Sequence, residues 1–184
     1  MNVGYACLKS GTLNPHTALE QSSVARCLMS DDPNRDAYLM FLRNMYDFHL
    51  AVQACTEDRF REDRIRLAAD IRALDPASPL PEAPSSPALA VAAGSVAALG
   101  VRYVVEGSRL GALHIAGHLQ RSGLADLPVT YLQGLSGVDI SHWKDFTRYV
   151  DDVLDDEKAS IEALKGAGLA FAWLQEQFDA KALA

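Results

Sequence analysis

The chain of 184 residues lacks any long hydrophobic run, and it has fewer basic than acidic residues. No stretch reaches the about 18 apolar residues that a membrane-spanning helix needs, and no basic segment followed by an apolar run opens the sequence. With 17 Lys and Arg against 24 Asp and Glu, the formal net charge is −7. We find no basic stripe of the kind that nucleic acid or an anionic membrane requires. We therefore expect neither as a partner.

Cysteine is scarce, and the three thiols, Cys7, Cys27 and Cys55, are odd in number and widely spaced. They form no Cys-x-x-Cys pair and no zinc pattern with histidine. We expect reduced thiols in a cytoplasmic protein. Apolar residues make up 49% of the chain and charged residues 22%, which is ordinary for a globular protein, so length and composition predict a single domain over 1–184.

Apolar residues recur every three to four positions through most of the chain, and strand-like alternation is absent, so the sequence predicts an all-α fold. The predicted helices cover residues 14–28, 33–49, 57–74, 87–118, 141–154 and 156–178. Five prolines between Asp75 and Pro87 predict a loop there, and a second loop is predicted over 127–138.

Cap residues predict where several of these helices begin and end. Asp31-Asp32-Pro33 and Ser86-Pro87 each place an N-cap residue before a proline at the first helical position. Gly123 is the predicted end of the helix that passes through His118.

His16 lies in the first turn of the first predicted helix, and Glu20 follows four residues later. At this spacing the carboxylate can reach the imidazole, select its tautomer and raise the basicity of the other ring nitrogen. A metal-ligating histidine is normally supported in this way. The same pair is also common on solvated helix surfaces, and on these residues alone both interpretations stay open.

Gly107-Ser108-Arg109-Leu110-Gly111 lies inside a predicted helix. Each glycine in a helix interior costs about 0.5–1 kcal/mol relative to alanine. Because Gly107 and Gly111 share one helix face, they indicate either a large flat group touching the backbone or close packing of another helix. His114 and His118 lie on about the same stripe, but a pair without a third ligand is weak evidence for zinc, so we expect structural roles for them.

Two strings in this order resemble parts of the heme oxygenase family. Residues 8–20 (LKSGTLNPHTALE) resemble its N-terminal proximal-histidine helix, and residues 103–112 (YVVEGSRLGA) resemble its distal helix in the bacterial form. Residues 142–146 and Ala170-Phe171 are also similar to the family, so the resemblance spans nearly the whole chain. It is strongest toward the bacterial group whose members accompany bacteriophytochromes.

The resemblance implies a heme oxygenase-like multi-helix fold with heme sandwiched between the proximal and distal helices. Heme would be both substrate and cofactor of an oxidoreductase that uses O2 and external electrons to form biliverdin, CO and ferrous iron. The electron donor would be a ferredoxin or a reductase, and a bacteriophytochrome receiving biliverdin would be a further partner. His16 would be the axial iron ligand supported by Glu20, and Gly107, Ser108 and Gly111 would form the distal catalytic face.

The resemblance also implies cations for the two heme propionates, because buried carboxylates need charged partners. Lys9 matches a basic position that the family uses for this purpose, and Lys144 and Arg148 share a helix face in the segment where the family places further propionate contacts. Each is equally well explained as solvated surface.

Ser108 departs from the animal and plant branch of the family, which has an aspartate directly after the first distal glycine. Proton delivery would then depend on ordered waters held by backbone groups, with His114 or Arg109 as candidates. The missing carboxylate keeps open a non-catalytic heme-binding or heme-trafficking protein on the same fold. A helical interaction protein without heme, in which the glycine face packs another helix, is the third hypothesis.

Overall fold

A computed structural model describes residues 4–122, 124, 126–134 and 140–180. Within these ranges the chain forms helices and no strand, which confirms the predicted all-α class. The helices are α1 (Tyr5–Gly11), α2 (Leu13–Glu20), α3 (Ser23–Leu28), α4 (Arg35–Val52), α5 (Arg61–Leu74), α6 (Val96–Arg121), α7 (Thr130–Gly134), α8 (Ile140–Val153) and α9 (Glu157–Ala180). None of the described helices is long and apolar enough to cross a membrane.

Two early helix boundaries differ from the prediction because different residues act as caps. The helix predicted over 14–28 is divided into α2 and α3, since the Ser22 hydroxyl accepts the Ala25 N–H at 3.3 Å and starts a new helix. The next helix begins at Arg35 and not at Pro33, because the Asn34 side chain accepts the Ala37 N–H at 2.8 Å.

The prediction that the long central helix begins at Ser86-Pro87 was wrong. Helix α6 begins at Val96, where the Ser95 hydroxyl accepts the Ala98 N–H at 3.1 Å. The preceding segment is held by tertiary hydrogen bonds in place of helical ones. Trp173 donates to the Pro87 carbonyl at 3.1 Å, and the Leu89 N–H donates to the Ala51 carbonyl at 3.1 Å.

The proline-rich segment 75–87 is helix-free as predicted, whereas the predicted loop over 127–138 contains a short helix, α7. The buried Asp70 carboxylate accepts the Thr130 N–H at 3.0 Å and the Tyr131 N–H at 2.8 Å, which satisfies the first amides of α7. The predicted helix end at Gly123 lies outside the described residues.

Helices α6 and α9 pack backbone against backbone at the centre of the fold. A Cβ atom added to Gly100 would overlap the Ala163 carbonyl, and one added to Gly166 would overlap the Ala97 carbonyl. Only glycine permits this approach. Helices α2, α3 and α4 also pack against α9, so α9 contacts both α6 and the N-terminal helices.

Candidate functional site

A cavity of about 320 Å³ lies among helices α2, α3, α4, α6 and α9. Its lining is mostly apolar: Leu19, Ala25, Leu28, Met29, Phe41, Met45, Ala112, Ile115, Leu174 and Phe178. The polar lining residues are His16 and Glu20 on α2, and Ser108 and His114 on α6. An apolar cavity with a few polar groups is typical of a site for a large organic ligand.

His16 lies in the first turn of α2, on one wall of this cavity. Its Nδ1 lies 3.5 Å from Glu20 Oε1, and the two side chains are 59% and 67% exposed. A carboxylate beside Nδ1 favours the proton on that nitrogen, which leaves the Nε2 lone pair available as a ligand. The Phe171 ring on α9 meets the imidazole edge-on with the ring centroids 6.1 Å apart, so the histidine is supported on a second side.

Gly107 and Gly111 form a bare stretch of backbone on the α6 wall of the cavity. A Cβ on Gly111 would meet no described atom within 4 Å, and a Cβ on Gly107 would meet only Trp143 Cη2, at 3.9 Å. Gly100, on the same helix, is in contrast blocked by the α9 backbone. The hypothesis that the Gly107–Gly111 face packs another helix was therefore wrong for the described residues, since this face opens on the cavity.

Ser108 also lines the cavity, and its hydroxyl donates to the Val105 carbonyl at 2.7 Å. Arg109 points elsewhere, because its guanidinium lies 3.2 Å from the carboxylates of both Asp63 and Glu106. Arg109 is absent from the described cavity lining.

The two histidines that follow on α6 have different positions. His114 is exposed and lines the cavity, while His118 Nε2 lies 2.8 Å from the Ser30 carbonyl and ties α6 to the chain just after α3. No group of three or more potential metal ligands occurs among the described residues. Within the described part of the chain, the pair therefore has no third ligand of the kind that a zinc site would need.

Lys9, Lys144 and Arg148 do not line the cavity as described. All three are exposed, the first in the last turn of α1 and the other two on α8. Arg148 Nη1 lies 2.9 Å from Asp145 Oδ1 on the same helix. The structure thus brings His16, Glu20, Gly107, Ser108 and Gly111 to one cavity and leaves the three cations outside it.

Sequence reasoning missed the apolar lining of the cavity. Phe41 and Met45 on α4, and Leu174 and Phe178 on α9, each lie four residues apart on one helix face and line the cavity. Their spacing is the ordinary signature of core residues, so periodicity alone does not separate them from the core.

A buried ionic cluster lies on α5 and α6, next to the glycine segment. The carboxylates of Asp63 and Glu106 are both 3% exposed, and Arg109 contacts both. Glu106 also lies 3.2 Å from His142 Nε2 and 3.5 Å from Arg102 Nε. Burial raises the pKa of Asp63, against the lowering effect of Arg109 and Arg66.

The chain is similar in structure to the heme oxygenase of Neisseria meningitidis, described in crystal structures of its NO- and CO-bound forms. The TM-score is 0.60 at 26% sequence identity, and the match covers 93% of this chain and 89% of that chain. The fold of this protein is heme oxygenase-like. No protein-family model and no curated protein sequence matches it. The fold of the heme oxygenase-like chain agrees with the one that the resemblance of residues 8–20 and 103–112 implies.

Proposed function

We propose that this heme oxygenase-like protein is a heme oxygenase, which cleaves heme to biliverdin, CO and ferrous iron with O2 and external electrons. The observation that carries the proposal is that His16 and the bare backbone at Gly107 and Gly111 line one apolar cavity. Heme has the matching chemistry, because its macrocycle is flat and apolar and its iron accepts an imidazole nitrogen. The structural similarity to the Neisseria meningitidis enzyme supports the same conclusion.

The residues present fit this substrate. His16 would ligate the iron, with Glu20 holding its Nδ1 proton. The space above Gly107 and Gly111 admits a planar group close to the α6 backbone, and a side chain there would fill it. When bound, heme supplies the redox iron and is itself the molecule that is oxidised.

The rest of the lining would orient the macrocycle and exclude water. Phe41, Met45, Leu174 and Phe178 present apolar side chains to the cavity. Ser108 is the hydroxyl on the α6 wall that would hold a proton donor near the reacting edge. We retain a ferredoxin or reductase as electron donor, a bacteriophytochrome as receiver of biliverdin, and a cytoplasmic location as parts of this proposal.

A non-catalytic heme-binding or heme-trafficking protein is the second candidate. The observation that favours this candidate is the lack of a carboxylate among the described lining residues of α6. Glu20, on α2, is the only acidic residue in the described lining. Such a protein would bind heme through His16 without turning it over.

Reconstitution with hemin separates these functions. We expect a Soret band on adding hemin, and formation of biliverdin and CO on adding ascorbate, or ferredoxin with its reductase, under air. Stable hemin binding without any open-chain tetrapyrrole would favour the trafficking protein. Absence of a Soret band would exclude both.

A further inference from the structure

His114 is the ionisable side chain of the cavity to which the proposed function gives no role. The ionisable residues in the described lining are His16, Glu20 and His114. The first two form a pair, with His16 Nδ1 3.5 Å from Glu20 Oε1. His114 is exposed, and none of the described residues forms a hydrogen bond or an ion pair with its ring. An imidazole in this situation can bind a polar group of the ligand.

The position of His114 along α6 places it beyond the bare backbone. Gly107, Gly111 and His114 follow one another at spacings of four and three residues, so they share one helix face. His114 lies about 4.5 Å past Gly111 along the helix axis, at a rise of about 1.5 Å per residue. In the proposed function the iron, at the centre of the macrocycle, is bound by His16. The glycine backbone covers the central part of the ring, so His114 faces its rim.

The segment of α6 that carries His114 is fixed to another wall of the cavity. His118 follows one helical turn later, and its Nε2 lies 2.8 Å from the Ser30 carbonyl. Ser30 comes directly after Met29, which lines the cavity. This contact ties the last turns of α6 to the chain after α3. His114 is therefore held at a defined place on the edge of the cavity.

The charge of the lining makes His114 the matching group for a carboxylate. Heme carries two propionates on its rim, and a carboxylate close to protein is stabilised by a charged hydrogen-bond donor. Lys9, Lys144 and Arg148 lie outside the described lining, and Glu20 would repel a propionate. Apart from the proposed iron ligand His16, His114 is the one residue of the described lining that can become a cation.

We propose that His114 binds one heme propionate at the edge of the cavity and so fixes the rotation of the macrocycle in its own plane. The inference rests on the proposed function, because it assigns the orientation of the same substrate. The four meso carbons of heme differ in the substituents beside them. Holding one propionate at His114 therefore determines which meso carbon lies at the reacting edge, and His114 determines which biliverdin isomer forms.

The first test compares equilibrium binding of hemin with that of hemin dimethyl ester, in which both propionates are neutral. We expect His114→Ala to weaken hemin binding by about two- to fivefold, as for a partly exposed ion pair, and to leave binding of the ester unchanged. His114→Lys, which keeps a cation, should bind hemin like the wild type. Gln120→Ala is the matched control, because Gln120 is exposed on the same helix and outside the described lining. An equal loss for both ligands in His114→Ala, or no loss for hemin, would overturn the proposal.

The second test measures the orientation of bound heme by proton NMR of the ferric complex with cyanide. The resonances of the methyl groups around the rim depend on how the macrocycle is rotated relative to the axial imidazole. The wild type should show one dominant pattern, His114→Ala a mixture, and His114→Lys the wild-type pattern. The biliverdin isomers formed in a single turnover should change in the same sense. A wild-type methyl pattern in His114→Ala would refute the orienting role.

These measurements separate the role of His114 from the proposed function. Binding and NMR require no turnover, so a wild-type protein that binds hemin without cleaving it would refute the oxygenase activity, and both tests would still decide whether His114 holds a propionate. A wild-type protein that binds no hemin would refute the proposed function and the role of His114 together.

Discussion

His16 on α2 and Gly111 on α6 line separate walls of one apolar cavity, although more than half of the chain separates them in sequence. Both helices pack against α9, which holds them in place with the cavity between them. The site therefore depends on α9 as a common support.

Replacing His16 by alanine should abolish the native axial ligation of bound heme and leave the fold intact. The His16 side chain is 59% exposed, so its loss should change the free energy of unfolding by no more than about 0.5 kcal/mol. Absorption spectra of the hemin complex and chemical denaturation of the free protein measure the two effects. His114→Ala, which removes the histidine on the α6 wall, is the control and should keep the wild-type spectrum. An unchanged spectrum in His16→Ala would show that the ligand assignment is wrong.

Gly111 can be enlarged without harming the free protein, because a Cβ there meets no described atom within 4 Å. Gly111→Ala should raise the free energy of unfolding by about 0.5–1 kcal/mol through helix propensity. Gly111→Leu should reduce heme turnover by about tenfold to a hundredfold, with a smaller loss of hemin affinity, because it displaces the substrate in the cavity. Gly168, an exposed glycine on α9 with equally open surroundings, supplies the matched alanine and leucine controls. Equal losses of hemin affinity and turnover in Gly111→Leu would indicate that the variant misfolds and not that the leucine displaces the substrate.

The three exposed cations Lys9, Lys144 and Arg148 provide a test of where the propionates lie. If they meet the propionates, alanine at each position should weaken hemin binding a few-fold, and added salt should reduce the difference because exposed ion pairs are screened. Lys158, an exposed lysine at the start of α9, is the control. Hemin titration at low and high ionic strength measures the effect, and three variants that bind like Lys158→Ala would identify these residues as solvated surface.

The two strings that resemble the family predicted two walls of the cavity, because the cavity-lining residues of each string lie on a single helix. The start of α6 was not predictable, since Ser86-Pro87 and Ser95 are equally good local caps. Contacts of residues 87 and 89 with α9 and α4 decide between them. The lack of a well-formed hydrogen bond at the His49 ring and the Tyr131 hydroxyl was equally unpredictable, because it depends on neighbours that only the fold brings together.

Gly100 and Gly166 should tolerate no side chain, in contrast to Gly111. Gly100→Ala and Gly166→Ala would each drive a methyl group into the backbone of the opposing helix, so we expect a loss of about 1–3 kcal/mol in the free energy of unfolding. Gly168→Ala, on the same helix as Gly166, should be neutral or stabilising. Urea denaturation of the three variants measures this. If Gly100→Ala and Gly166→Ala were both as stable as the wild type, α6 and α9 would have to move apart with little loss in the free energy of unfolding.

The free energy of unfolding should fall as the pH falls below about 6.5, with His49 as one cause. The pKa of His49 is lowered from 6.5 to about 3 in the folded protein, so between these values the unfolded chain binds a proton that the folded one does not. The contribution of His49 to the pH dependence is at most about 1.4 kcal/mol per pH unit. Asp63 acts in the opposite direction at lower pH, because burial raises its pKa above 3.8 and folding then favours its protonated form.

Urea denaturation at pH values from 7 to 5 isolates the histidine, because His49→Gln should have a shallower pH dependence than the wild type. His114→Gln, which removes an exposed histidine, is the control for the substitution itself. If His49→Gln and the wild type lose stability in parallel, the folded protein must accept a proton on His49 near its ordinary pKa. The ring would then be hydrated well enough to hold charge, and water would reach the interior around His49 more freely than its burial implies.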